Sequence, residues 1–270
     1  MEERTEFLRC RGAFEDKLTW LHKVANALPA PNSPRKNWAN LCFYRLIFTA
    51  ISVLTLCDIE LQRDSKIMPV TSASGLLDHH SIGSLVRNLI EMSVLFHYIT
   101  DLAVADQNPE WTLRRAVLEL HDSATRWRVL KHTADDSEDA STFQRNIDPL
   151  KMEISANAVF ATLPAERQEK LLSGSEIYVR GLRAAVRDSG ADVEHFNAFY
   201  AILSAFGHGT PASFYRHQDE PKEPAAWHPA EYTYLTTGAA LEYGVEWLDQ
   251  CIQRVFLFYP ETFLRRQTKQ

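Results

Sequence analysis

Several signatures of familiar chemistry are missing from this chain. It has no H-E-x-x-H, no E-x-x-H, no glycine-rich Walker loop and no G-x-S-x-G. These absences exclude the zincin, ferritin-like di-iron, P-loop and α/β-hydrolase readings in turn. The four cysteines, Cys10, Cys42, Cys57 and Cys251, form no C-x-x-C pair, which removes zinc ribbons and dithiol redox motifs and points to reduced thiols in the cytoplasm. No apolar leader follows the polar start MEERTEFLRCRG. The strongest apolar run, residues 46 to 57, falls short of the ~20 residues that span a bilayer, so a buried core helix and no membrane partner are expected. A net charge of -6 argues against a general nucleic-acid coat but leaves room for a local basic groove.

What is present is helical. Apolar residues recur at helical spacing and the breaks fall at Pro, Gly and Ser clusters, which predicts an all-α fold: a single multi-helix bundle with long antiparallel helices over residues 1 to 270. Helices are expected from about Glu3 to Ala27, Lys36 to Arg63, an Asp78 cap to about Asp101, Pro109 to His132, and 142 to 162. Pro164 opens a short helix, Gly174-Ser175 and Ser189-Gly190 bracket another, Asp192 caps the next, and Pro229 starts a long one to about Tyr259. The loop at 217 to 229 is expected to be mobile, because its prolines and charges offer little to bury. Trp20, Trp38, Trp111, Trp127 and Trp247 are read as core or helix-interface residues.

The third helix is apolar almost all round and should be central. His80, Ser84, Arg87, Glu91 and Tyr98 nevertheless fall on one narrow face at about 100° per residue. The Arg-then-Glu order is the weaker one for local helix support, so the pair is better read as a charge held inside the bundle, with Glu91 fixing the Arg87 guanidinium toward a cavity. Guanidinium matches phosphate or carboxylate through two parallel donors. A second stripe, Asn197, Ser204 and His208 with Tyr200 on its flank, ends in Gly207-His208-Gly209, where the glycines are expected to let the backbone turn tightly. If the stripes face each other, Arg87, Glu91, Tyr200, Ser204 and His208 share one pocket; otherwise Arg87 and Glu91 lock helix register and His208 caps a helix end. Asp78-His79-His80 reads as a cap beside exposed histidines, and neither a metal nor another cofactor is expected.

Arg87-x-x-x-Glu91 followed by Tyr200-x-x-Leu203-Ser204-x-x-x-His208-x-x-x-x-Ser213 resembles the paired motifs of an uncharacterised family of helical bacterial proteins, over roughly Ser72 to Ser213. That resemblance implies an all-helical fold and no established reaction. A looser similarity is to the HEPN superfamily, helical nucleotide-binding or RNA-cleaving domains of toxin-antitoxin and phage-defence systems. Its nucleases carry Arg, four to six residues, then His, and two protomers combine these to cut RNA without a metal. Arg87-Asn88 matches the polar residue after the family's Arg, while the nearest permitted histidine position is Met92. The spacing recurs on the fourth helix, Arg115 to His121 and Arg126 to His132, where Arg114, His121, Arg128 and His132 share a face. That face is either a phosphate-binding seam or a solvated helix surface.

Two functions follow. One is a HEPN-like defence or toxin protein acting on RNA or nucleotides as a homodimer, a metal-independent ribonuclease in its sharpest form. The other is a non-catalytic binding or assembly module recognising a small anion or a protein partner.

Overall fold

The computed structural model describes residues 2–58, 77–133, 138–207 and 231–260. Among the described residues there are ten helices and no strand, an all-α architecture: α1 (Glu2–Ala25), α2 (Pro34–Leu56), α3 (His79–Ile99), α4 (Pro109–Thr133), α5 (Glu138–Ser155), α6 (Ala158–Ala161), α7 (Ala165–Leu172), α8 (Leu182–Ser189), α9 (Val193–Gly207) and α10 (Glu231–Phe258). The 217 to 229 loop lies outside the described residues.

Side-chain caps set several starts. Ser33 accepts from the Lys36 N–H at 3.2 Å, Asp78 from those of His80 and Ser81 at 3.1 and 3.3 Å, and Asp192 from that of His195 at 2.9 Å. Two boundaries differ from expectation. Helix α2 stops at Leu56, where the Cys57 and Asp58 N–H groups tighten onto the carbonyls three residues back, those of Leu54 and Thr55. The helix expected over 142 to 162 starts at Glu138 and ends at Ser155, since Asn157 leaves the helix to cap α6 through the Val159 N–H and donates its own amide to the Pro109 carbonyl at 2.9 Å.

The helices gather into two compact units, one comprising Met1–Thr100 with Asp192–Gln270, the other Asp101–Ala191. In the first unit α3 is the axis, and Ile82, Val86, Leu89, Ile90 and Val94 are fully buried. Helix α2 runs antiparallel to it, as Cys42 Sγ donates to the Met92 carbonyl and Arg35 Nε to that of Ile99 at 2.6 Å. Helix α10 runs parallel to α1: a Cβ on Gly238 would lie 3.6 Å from the Phe7 Cα, one on Gly244 would lie 3.1 Å from the Phe14 ring, and Lys17 pairs with Asp249. In the second unit Leu113, Val117 and Leu120 of α4 pack with Ile154, Phe160, Leu171 and Val179.

Helix α2 is longer than the apolar run read within it: at 23 residues and a mean hydropathy of 1.6 over its most apolar stretch, it is long and apolar enough to cross a membrane. Half of that stretch is buried within the protein. All four cysteines are buried free thiols, and burial pushes those of Cys57 and Cys251 up to about 12, which leaves them unreactive. Trp111 and Trp247 are buried as expected, whereas Trp20 is exposed beneath the Lys23 ammonium.

His97 is buried on α3 with no hydrogen-bond partner for either ring nitrogen among the described residues. Burial, reinforced by the charge of Arg254, lowers its pKa from 6.5 to about 3. The unfolded chain therefore binds a proton that the folded chain refuses between those two values. His97 contributes stability above pH 6.5 that is lost progressively as pH falls toward about 3. Urea unfolding at pH 7 and pH 5 should show a loss for the wild type that is clearly smaller for His97→Leu; equal losses would remove His97 from the account.

Candidate functional site

Helices α3 and α9 cross antiparallel and touch where side chains are small. A Cβ on Gly83 would come within 2.5 Å of the Phe206 ring, and one on Gly207 would lie 3.3 Å from Ser84 Oγ. The next turns of the crossing bring Tyr200 over Arg87.

There the hydroxyl of Tyr200 donates to Glu91 Oε1 at 2.5 Å and accepts from Arg87 Nη2 at 2.9 Å. Arg87 Nε and Nη2 also reach Glu91 Oε1, at 3.1 and 3.0 Å. The guanidinium carbon sits 4.8 Å from the centre of the Tyr200 ring, which in turn stacks on Phe196 at 5.1 Å. Three groups from two helices thus hold one guanidinium in one rotamer. Burial works against the charge on Arg87, but its bonds to Tyr200 and the Glu91 charge outweigh it and raise its pKa. Burial and the bond to Glu91 likewise push Tyr200 above the ordinary phenol range, so near neutrality it is a donor and not a base.

The expected charge inside the bundle is only half-buried: the side chains of Arg87 and Glu91 are 25% and 38% exposed. Water screens such a pair, which therefore adds little stability and serves chiefly to orient the guanidinium. Arg87 Nη1 makes no hydrogen bond among the described residues and lies 4.0 Å from where a Gly207 Cβ would stand. Among the described residues it is the one nitrogen of this guanidinium without a partner.

The remaining site residues divide. Ser204 Oγ donates to the Tyr200 carbonyl at 2.5 Å and Ser84 Oγ to that of His80 at 2.8 Å, so both hydroxyl protons are used within their own helices. His208, like Gly209 and Ser213, lies outside the described residues. Gly207 is the last residue of α9 and is not among the positive-φ glycines, so its role is close approach to Ser84 and Arg87 instead of a tight turn. The histidines after Asp78 are not exposed as expected: His79 is buried and His80 half-buried, both edge-on to Phe206. Among the described residues no cluster of three or more His, Cys, Asp or Glu is placed to hold a metal.

In the second unit the seam on α4 dissolves. Arg114 is neither solvated nor open to a ligand: its side chain is 4% exposed and is paired with Glu110 and Asp101, each at 3.0 Å. Glu110 also takes two hydrogen bonds from Arg180, at 2.7 and 2.9 Å. Arg128 is exposed but donates to the carbonyls of Ala124 and Gly174, and His121 is half-buried with its Nδ1 enclosed. Glu110-x-x-x-Arg114 was visible in the sequence as an ion pair in the favourable order; Asp101 and Arg180 carried no local signal.

Removing the acid at the centre of that network leaves the buried Arg114 with Asp101 as its remaining carboxylate partner. Glu110→Ala should destabilise the second unit by roughly 1.5–3 kcal/mol, the usual worth of a hydrogen bond to a charged group. Chemical denaturation that found less than about 1 kcal/mol would show the network to be well hydrated.

No family model matches the chain, and neither a curated protein nor a solved structure matches it.

Proposed function

We propose that this chain is a HEPN-like cytoplasmic protein of the defence or toxin class that binds RNA or nucleotide phosphate at Arg87. One observation carries this reading: Arg87 is clamped by Glu91 and Tyr200 with Nη1 unspent among the described residues, and that nitrogen sits beside Gly207, the residue that leads into His208. A guanidinium with a fixed plane and an open donor is suited to a phosphate oxygen. His208 supplies the one group in the motif whose ordinary pKa allows proton transfer near neutrality. In the catalytic form of this reading, the RNA 2'-hydroxyl attacks the adjacent phosphorus as His208 takes its proton, the P–O5' bond breaks to leave a 2',3'-cyclic phosphate and a 5'-oxygen that is protonated by water, and Arg87 stabilises the charge growing on the phosphoryl oxygens.

A second reading, a non-catalytic anion site, is favoured by the neutral Tyr200 and the internally bonded Ser204, neither of which is poised as a base. Incubation with mixed RNA in chelator separates the two. Cleavage that drops by ~10²-fold or more in both Arg87→Ala and His208→Ala, with unchanged melting temperatures, supports the nuclease. Intact RNA, with phosphate or nucleotide binding lost only in Arg87→Ala, supports the anion site. If neither RNA nor nucleotide binds the wild type, the assignment falls.

A further inference from the structure

In the second unit, α4, α5 and the turn after α7 border a cleft of about 270 Å³. Gly174 makes the third wall possible. It adopts φ +69°, and a Cβ there would stand 2.7 Å from that of Ala124, so only glycine lets the turn press onto α4. The same approach brings the Gly174 carbonyl within 3.4 Å of Arg128 Nη2, which also reaches Thr125 Oγ1 at 3.1 Å, while Nε donates to the Ala124 carbonyl at 3.1 Å. Three neutral acceptors thus fix a guanidinium on the rim of the cleft, and none of them cancels its charge. Its Nη1 has no partner among the described residues.

Lys151 is the second uncancelled cation. The other buried or half-buried Lys and Arg side chains described in this unit, Arg114, Arg115 and Arg167, pair with carboxylates at 3.0, 2.6 and 3.0 Å. Lys151 is half-buried against the cleft and pairs with no carboxylate among the described residues. Asp148 lies one turn before it on α5 and lines the same cleft, and it too has no cation partner among them, although the i, i+3 spacing would let the two meet. Half-burying an ammonium costs free energy that an opposite charge recovers, so an unpaired one beside a cleft marks a place for a ligand. The remaining wall is apolar, made of Ala124, Trp127 and Ile147, and Lys131 Nζ stands 4.6 Å from the centre of the Trp127 ring.

We propose that this cleft binds a free α-amino acid with a large apolar side chain. The ligand carboxylate meets Arg128 and Lys151, its ammonium meets Asp148, and its side chain lies against Trp127 and Ile147. Other classes satisfy fewer of these groups. A phosphate dianion would face the Asp148 carboxylate and leave the apolar wall in water, and an amine without a carboxylate would face two cations. The volume equals that of about nine waters at ~30 Å³ each, which suits a leucine or a phenylalanine.

Isothermal titration calorimetry of the full chain with L-leucine and L-phenylalanine tests this. At least one should bind with a dissociation constant on the order of 0.1 mM, in keeping with so small a ligand. Its deaminated and decarboxylated analogues, 3-phenylpropanoate and phenethylamine in the case of phenylalanine, should each bind at least ~tenfold more weakly, the worth of one charged hydrogen bond. Lys151→Gln should weaken binding by about tenfold or more, and Asp148→Asn should erase the preference over the deaminated analogue, both with unchanged melting temperatures. Absence of heat from both amino acids at about 10 mM overturns the proposal, as does binding that both variants leave intact. A deaminated analogue that binds the wild type as tightly as its parent overturns it equally, and so does inorganic phosphate that binds where neither amino acid does.

Discussion

A helix that is apolar on nearly every side has to be surrounded, and α3 imposes that requirement on the whole first unit. Its buried residues face α2, α9 and α10 in turn, with Phe96 against Phe43 of α2 and Val86 beneath Gly244 of α10. The constraint has a cost on the one polar face, where Ser84, Arg87 and Glu91 must be covered without being starved of hydrogen bonds. Helix α9 resolves it by bringing no Cβ at Gly207 and a hydroxyl at Tyr200, one making room and the other a bond. The site is thus a by-product of finishing the core at a place where the central helix is not apolar.

The hydroxyl of Tyr200 explains why the Arg87 and Glu91 pair holds a geometry at all. In its Arg-then-Glu order on one helix, and with a quarter or more of each side chain exposed, the pair has little to hold it against solvent. Tyr200 binds both members at once and its ring lies under the guanidinium, so releasing Arg87 would break contacts to two helices together. Phenylalanine would keep the packing on Phe196 and lose the bridge. A fixed cation whose Nη1 has no partner among the described residues is more than packing at a helix crossing needs, and that surplus is what supports the proposed anion site.

Much of this was legible in the sequence, and the limits have identifiable causes. Helical period and capping residues located α3, α4 and α9 closely, since Asp78 and Asp192 accept bonds from their own neighbours and Pro109 presets the backbone at the first position of α4. The alignment of Arg87 with Glu91 followed from helical angles, whereas the meeting with Tyr200 was legible only as one of two alternatives, that the two polar stripes face each other. The depth of burial did not follow, because one helix's periodicity says which residues share a face but not what covers it. Arg114 shows the same limit from the other side: its face looked cationic, yet Asp101, 13 residues upstream, and Arg180 on a distant segment turn that face into a closed ionic network. The end of α5 was missed because Asn157 acts as a cap only once the chain has left the helix at Ala156.

Helix α2 makes the difference between pattern and placement sharpest. Hydropathy alone gives its two apolar stripes the same meaning, and a reading that assigns the whole helix to the core accounts for only one of them. Geometry separates them: the inner stripe packs on α3, with Phe43 against Phe96, while the outer stripe of Leu41, Tyr44, Phe48 and Ile51 is left exposed. Periodicity alone cannot tell which of two apolar faces a neighbouring helix will take, because both have the same spacing and the same residue types.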